Sequence, residues 1–273
     1  MLNSVFAVAR LVILDCLRRH AMIGLIMFAL AGTAGGLLFF DFIPRDIGRA
    51  SSDFILSISW LTGFIFLLFH AIPVIAWDDE RGALHMFLAR PISRKEYAIA
   101  LFVGLGVLLF ALNLILGSLG WGVLIYLKGT VDVSYFQHLS FPRFILAGAG
   151  LYLTQLVILA VILFFSSVVR GSFPVLLLTL SYYLISSGLP VVRESFKQLV
   201  VIDSSGSHYF DIILKWLTAL FPDFSWLDFK YLVSSGEPVL SALHLMLPFV
   251  LSTLYIVIFL CLTCFIYERR DLQ

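Results

Sequence analysis

The sequence has little charge and little cysteine, and each shortage excludes a class of protein. Asp, Glu, Lys and Arg make up 13% of its 273 residues, against 61% hydrophobic ones; soluble domains carry about 25% and about 45–50%. A water-soluble fold of this length has too little interior to hide so much apolar surface. The formal net charge is +1, so neither sign is in excess to draw nucleic acid. The three cysteines, Cys16, Cys261 and Cys264, lie in or beside apolar runs, and their odd number argues against a disulfide framework. Cys261 and Cys264 form a CxxC that sits inside an apolar run, without the strand-to-helix context of a redox site. No GxxxxGK[ST] stretch is present to cradle nucleotide phosphate. Ser118 and Ser166 have no base partner in the runs that hold them, Ser204-Ser205-Gly206-Ser207-His208 reads as a polar turn, and the histidines show no ligand spacing. The chain is therefore not expected to be an enzyme, to hold a metal, or to carry a cofactor of its own.

What is present is apolar sequence in lengths that match a membrane. A bilayer core about 30 Å thick takes roughly 20 residues of helix, and the runs at about 21-42, 54-77, 97-127, 143-169, 172-192 and 241-267 meet that length. The expected fold is an all-α integral membrane protein with six transmembrane helices, forming a single transmembrane domain over 1-273. The third run exceeds the bilayer and must tilt, kink or project, with Gly117, Gly120 and Gly122 as kink points. Arg18, Arg19 and the small residues from Ala31 to Gly36 faintly mimic a signal peptide, but the charges come late and further spans follow, so the first run reads as retained.

Sidedness follows from the cations near the span ends. Arg10, Arg18, Arg19, Arg81, Arg90, Arg94, Lys95, Arg170, Arg269 and Arg270 fall on one side. Arg45, Arg49, Lys128 and Arg143 fall on the other, with Arg193, Lys197, Lys215 and Lys230 in a long loop where charge counts for less. Both termini are thus expected in the cytoplasm. No Asp, Glu, Lys or Arg lies deep in a run, which argues against a carrier driven by a coupled ion. His70, Asn113 and Gln155 are the remaining polar candidates for a translocation path; for His70, close to Pro73, a packing hydrogen bond between helices is the competing reading. Gly32 and Gly36 form a GxxxG that suits a closely seated neighbouring helix.

Three segments do not span. Residues 1-20 place Phe6, Ala9, Ile13, Cys16 and Leu17 on one helical face, as a helix lying along the inner leaflet would; continuation into the first span is the alternative, since Leu11 and Leu14 blur the stripe. The outer loop 193-240 is too long to be an idle connection. Within it, Ile212, Ile213, Trp216, Leu217 and Leu220 share an apolar surface before Phe221 and Pro222, and Phe224, Trp226, Leu227, Phe229 and Tyr231 follow. Two short helices dipping into the outer leaflet satisfy both stretches, as a lid over a path or as a scaffold on lipid; Trp216, Phe221, Pro222 and Trp226 are the candidate outer gate.

The cytoplasmic loop 78-96 is the most informative segment. Asp78, Asp79 and Glu80 favour the positive end of a short helix, Leu84, Phe87 and Leu88 share a face of it, and Pro91 stops it. An apolar helix standing in the cytosol needs a membrane surface, its own subunit or a partner's groove to cover it. This string resembles the motif of type-2 ABC exporter permeases, with Asp78, Glu80, Gly82, Leu84, Phe87, Leu88, Pro91, Ile92, Ser93 and Arg94 on matching positions; Ala83 and Ala100-Leu101 depart from it. The resemblance implies a coupling helix that fits a groove on a cytoplasmic ATPase subunit. It would dock through Leu84, Phe87 and Leu88, with Asp79, Glu80, Arg81, Gly82, Arg90, Pro91 and Arg94 around them. It further implies ATP and Mg on the partner subunit, a second permease copy, contact with membrane lipid, an accessory extracytoplasmic protein in some members, and residence in a bacterial inner membrane. A stand-alone channel or carrier, and a membrane scaffold or maturation protein, are the competing classes.

Overall fold

The computed structural model describes residues 2–18, 21–40, 47–80, 93–131, 133–137, 139–200, 221–234 and 242–269, and every regular element among them is helical. In chain order these are α1 (Leu2–Arg18), α2 (Ala21–Phe40), α3 (Ile47–Phe66) running through a π-helical turn (Leu67–Ala71) into α4 (Ile72–Glu80), α5 (Arg94–Thr130), α6 (Phe141–Val168), α7 (Ser172–Val200), α8 (Lys230–Ser234) and α9 (Ala242–Arg269). Single 3₁₀ turns stand at Val133–Phe136 and Phe224–Leu227.

Five stretches are long and apolar enough to cross a membrane: Ile47–Ala76, Lys95–Thr130, Phe141–Val168, Ser172–Ser195 and Leu245–Arg269. That is the build of a multi-pass membrane protein. The first expected run folds as α2, but its apolar part, Met22–Gly36, belongs to a shorter class, so five of the six expected spans meet the length criterion among the described residues. The helices outrun the hydropathy at their ends. The fifth run was bounded at 192, yet α7 continues to Val200, because Arg193, Glu194 and Lys197 end the apolar run without breaking helical backbone. The third run is one unbroken helix of 37 residues, about 55 Å at 1.5 Å per residue.

The π-helical turn has a local cause. Pro73 has no N–H, and its ring would strike the carbonyl of Phe69 in a regular helix. The turn just before it widens, and Ile72 N–H reaches back to Leu67 O, a five-residue step of the kind found in π-bulges.

Helix α6 is the central post. It packs against α5, α3, α7, α9 and the segment around α8, and Val157, Ile158, Leu159, Ala160, Val161, Ile162 and Leu163 are all buried. Helices α7 and α9 lie at the periphery and expose Leu184, Val191, Val250, Leu254 and Val257. Glycines set the close approaches. A Cβ on Gly32 would press on Ile58 at 3.0 Å and one on Gly36 would collide with the Phe54 ring, so the GxxxG of α2 is the groove that receives Phe54 and Ile58, one turn apart on α3. Gly120 receives Ile55, and Gly104 faces Ala9 and Val12 of α1. Gly117 and Gly122 face open space, and α5 keeps its helical form through both.

The N-terminal stripe is split by this packing. Val8, Ala9, Val12 and Cys16 are buried against α5, whereas Phe6 is 69% and Leu17 50% exposed. Residues Phe6, Ala9, Ile13, Cys16 and Leu17 therefore do not act as one face: Ala9 and Cys16 join the core, and Phe6 and Leu17 form the neighbouring apolar strip. Periodicity marks where apolar residues recur, and it does not say which half of a wide apolar arc meets protein.

The Phe54 groove gives a sharp contrast. Gly36→Leu should destabilise the fold by about 1–3 kcal/mol, the cost of overpacking. Gly35→Leu, where an added Cβ meets nothing within 4 Å, should leave the thermal unfolding midpoint in detergent close to wild type. Equal midpoints for the two variants would refute the seating of α2 on α3.

Candidate functional site

In a bilayer, a polar side chain on a span must find its partner inside the protein. Gln155, on the central helix α6, is wholly buried. Its Oε1 accepts from Asn113 Nδ2 of α5 at 2.6 Å, and its Nε2 donates to the Trp60 carbonyl of α3 at 3.4 Å. Asn113 Nδ2 also donates to Leu109 O at 2.8 Å. Room for the Gln155 amide exists because residue 63 is glycine: a Cβ there would collide with the Gln155 amide. Tyr152 adds a second tie between α6 and α5, donating to Gly106 O at 3.2 Å.

Of the candidates for a translocation path, Asn113 and Gln155 are brought together as a clamp joining three helices. His70 stands two helical turns beyond Gly63, in the π-helical turn, half-buried with its ring centroid 5.3 Å from that of Phe66.

The far end of the bundle is closed by the segment from Phe221 to Ser234. Its apolar side chains Leu227, Phe229, Leu232 and Val233 are buried in a core shared with Ile55, Leu56, Leu124, Phe144, Ala147 and Leu151, and Phe224 is buried in the larger core around α6. A Cβ on Gly150 would strike the carbonyl of Leu227, so the backbone of this segment reaches roughly 14 Å down α6 from Phe141 at 1.5 Å per residue. Two short dipping helices were expected across 193-240; among the described residues this stretch holds the 3₁₀ turn and the five-residue α8, packed on α3 and α6. Side-chain bonds hold it in place: Arg143 NH1 donates to Leu232 O at 3.3 Å, and Lys230 Nζ lies 3.4 Å from Ser57 Oγ and 3.8 Å from Asp228 Oδ2. Asp223 starts the turn by accepting from Ser225 N at 3.0 Å. Among the gate candidates, Phe221 packs on Tyr182 with ring centroids 4.8 Å apart, Pro222 is buried and Trp226 is 45% exposed. Trp216 lies outside the described residues.

Between this segment and α3, α6 and α7 is a cavity of about 250 Å³. Trp60, Leu151, Tyr183, Phe224 and Leu227 give it an apolar wall, and Thr154, Ser187, Ser225, Asp228 and Lys230 its polar groups. The aromatic side is continuous: Trp60 lies 5.1 Å from Phe64 and 5.6 Å from Tyr183, and Tyr183 lies 5.9 Å from Phe224, centroid to centroid. Trp60 thus links the buried amide clamp to the cavity. The sequence reading did not find this cavity, although Trp60 three residues before Gly63 is the kind of bulky and small pairing that a helix contact uses.

At the opposite end, Lys95 of α5 and Glu268 of α9 form an ion pair at 2.7 Å. The start of α5 carries a reciprocal cap in which Ser93 Oγ accepts from Glu96 N at 3.3 Å and Glu96 Oε2 accepts from Ser93 N at 3.2 Å. That box was legible as Ser93-Arg94-Lys95-Glu96 and was not singled out. Asp79 and Glu80 close α4 as helical residues, and Arg94 opens α5. Arg81, Gly82, Leu84, Phe87, Leu88, Arg90 and Pro91 lie outside the described residues. Cys261 and Cys264 are unbridged thiols, and among the described residues no group of His, Cys, Asp and Glu is arranged to hold a metal ion.

No protein-family model matches this chain, and no curated protein matches it.

The amide clamp is testable as a coupled pair. Asn113→Leu alone should cost about 1–3 kcal/mol, because it leaves the Gln155 oxygen buried without that donor. The double variant with Gln155→Leu should recover part of the loss, with a coupling of about 0.6–1.7 kcal/mol in a double-mutant cycle of unfolding in detergent. A coupling of zero would mean that the bond does not join the helices.

Proposed function

We propose that this chain is the membrane subunit of an ATP-driven exporter, with the ATPase on a separate cytoplasmic polypeptide and with six spans per copy. The observation that carries this reading is the segment between α4 and α5. It opens with Asp78, Asp79 and Glu80, continues through Leu84, Phe87 and Leu88, and closes on Pro91 and the cap at Ser93. Helix α4 delivers the chain to this segment as the last part of a continuous span, and α5 leads directly away from it. The ion pair between Lys95 and Glu268 puts the end of α9 beside it. A push on the segment would therefore act on two long helices at once, one of which carries the π-helical turn. That is the linkage a motor subunit requires.

In this reading α2 is the sixth span, shortened in its apolar part and held by its glycine groove. Helix α1 lies at the cytoplasmic interface with Phe6 and Leu17 toward lipid, and both termini are cytoplasmic. Two copies pair to enclose the path, and the membrane is a bacterial inner membrane. No Asp, Glu, Lys or Arg lies in the middle of a span, which speaks against ion coupling, and no phosphate-binding loop occurs in the sequence, which supports an ATPase on another chain.

The test is association with the ATPase. The tagged chain, purified in mild detergent, should retain a soluble nucleotide-binding subunit, and Leu88→Asp or Phe87→Asp should weaken that association about thirtyfold, as loss of a central interface anchor does. If that face meets the partner as proposed, the variants should keep the wild-type unfolding midpoint of the isolated chain. Retention of the ATPase by both variants, or transport that proceeds without nucleotide, would sink the reading.

A further inference from the structure

The cavity beneath the closing segment has a chemistry that packing alone does not require. Two side chains of opposite charge, Asp228 and Lys230, line it, and they are only loosely paired. Their nearest N···O distance is 3.8 Å, longer than the roughly 2.7–2.9 Å of a hydrogen-bonded ion pair. The Asp228 oxygen that is bonded, Oδ1, accepts the backbone N–H of Lys230 at 3.3 Å, which leaves Oδ2 with acceptor capacity. Among the described residues Lys230 Nζ has one polar contact besides Asp228, the Ser57 hydroxyl at 3.4 Å, and an ammonium has three donors. On the same face of α3, one turn before Ser57, Asp53 forms another loose pair with Arg49 at 3.9 Å. The four charges cancel.

A loosely paired acid and base, 3.8 Å apart, can each turn to a separate partner charge, and the net charge of the pair favours neither a simple anion nor a simple cation. Such a pair suits a molecule that carries both signs a few ångströms apart. Beside the charges, Trp60, Tyr183, Phe224 and Leu151 supply an apolar wall for the attached carbon chain, and aromatic faces also favour an ammonium. The volume of about 250 Å³ is below the roughly 300–1,000 Å³ of pockets that enclose a drug-sized molecule, so the site takes a head and leaves a tail outside. We propose that this cavity binds a phosphate–ammonium zwitterion of the phospholipid-headgroup class, with the phosphate on Lys230 and the ammonium on Asp228. The inference does not depend on the exporter reading and stands if that reading fails.

Native mass spectrometry of the full chain tests it, with phosphatidylethanolamine and phosphatidylglycerol of matched chain length as probes. Wild type should hold phosphatidylethanolamine about tenfold more tightly, and Asp228→Asn should abolish the preference, the loss expected of one charge-assisted hydrogen bond to the ammonium that phosphatidylglycerol lacks, whereas Lys230→Gln should weaken both lipids, which share the phosphate. Because Asp228 also bonds the backbone of the closing segment, Ser187→Phe is the second variant: Ser187 is an exposed lining residue on α7, and a ring there takes up cavity volume while Asp228 and Lys230 keep their side chains. It too should lose the preference. Displacement of the bound lipid by soluble glycerophosphoethanolamine at similar concentration would support the site and assign it to the free zwitterion, whereas resistance to that competitor would assign it to the membrane lipid. Equal binding of the two lipids by wild type, or a preference that survives Ser187→Phe, would overturn the proposal.

Discussion

A bilayer offers no hydrogen bonds, and the rest of this structure depends on how the central helix lives with that. Helix α6 carries Gln155 at a wholly buried position, where an amide without partners would cost several kcal/mol. The fold meets the demand with Asn113 from α5 and the Trp60 carbonyl from α3, and it makes room by having no side chain at Gly63. Three helices are fixed in register by that one group, since its bonds have direction and its neighbours leave no slack. The apolar contacts above and below it have no comparable preference, because lipid tails are as favourable to leucine as another leucine is. The amide therefore supplies specificity where the hydrophobic effect supplies little.

Close approach is the second consequence. Without water to drive apolar surfaces together, spans hold one another by dispersion, which falls steeply with distance. Gly32 and Gly36 admit Ile58 and Phe54, Gly120 admits Ile55, and Gly150 admits the backbone of Leu227. The last of these lets a non-spanning segment descend beside α6 and bury Leu227, Phe229, Leu232 and Val233. Backbone at that depth is tolerated where protein surrounds it, and α3, α6, α7 and α9 do so here. The cavity lined by Trp60, Tyr183, Asp228 and Lys230 is the space left between this descending segment and the walls.

Much of this was legible and some of it was not, for reasons that differ by element. The apolar runs located α3, α5, α6, α7 and α9 because bilayer thickness imposes a length that few other constraints mimic. The span expected at 172-192 is Ser172–Ser195, while its helix runs on to Val200, since hydropathy reports where the apolar run ends and helical hydrogen bonding continues past that point. The stripe on α1 was found and its orientation was not: Phe6 and Leu17 recur with Ala9 and Cys16, yet face outward. For the aromatic outer stretch two short dipping helices were expected, with Pro222 and Trp226 among the gate candidates; Lys230 was counted only as an outer-loop cation, and Asp228 was passed over. Asn113 and Gln155 were flagged singly as polar residues in apolar runs, and nothing in a spacing of forty-two residues says that they touch.

The sequence by itself determined that this chain is helical and built for a membrane, that its cations stand mostly outside the apolar runs, and that it has no GxxxxGK[ST] stretch. These are properties of composition and of residues near one another, where period and length decide. Only the tertiary structure decided which helix stands at the centre, which glycines are grooves and which face open space, and that opposite charges stand loosely paired beside an aromatic wall. The runs are nearly equal in apolar character, so hydrophobicity cannot rank them. What ranks them is shape, the few places where a missing side chain on one helix meets a large or polar one on another.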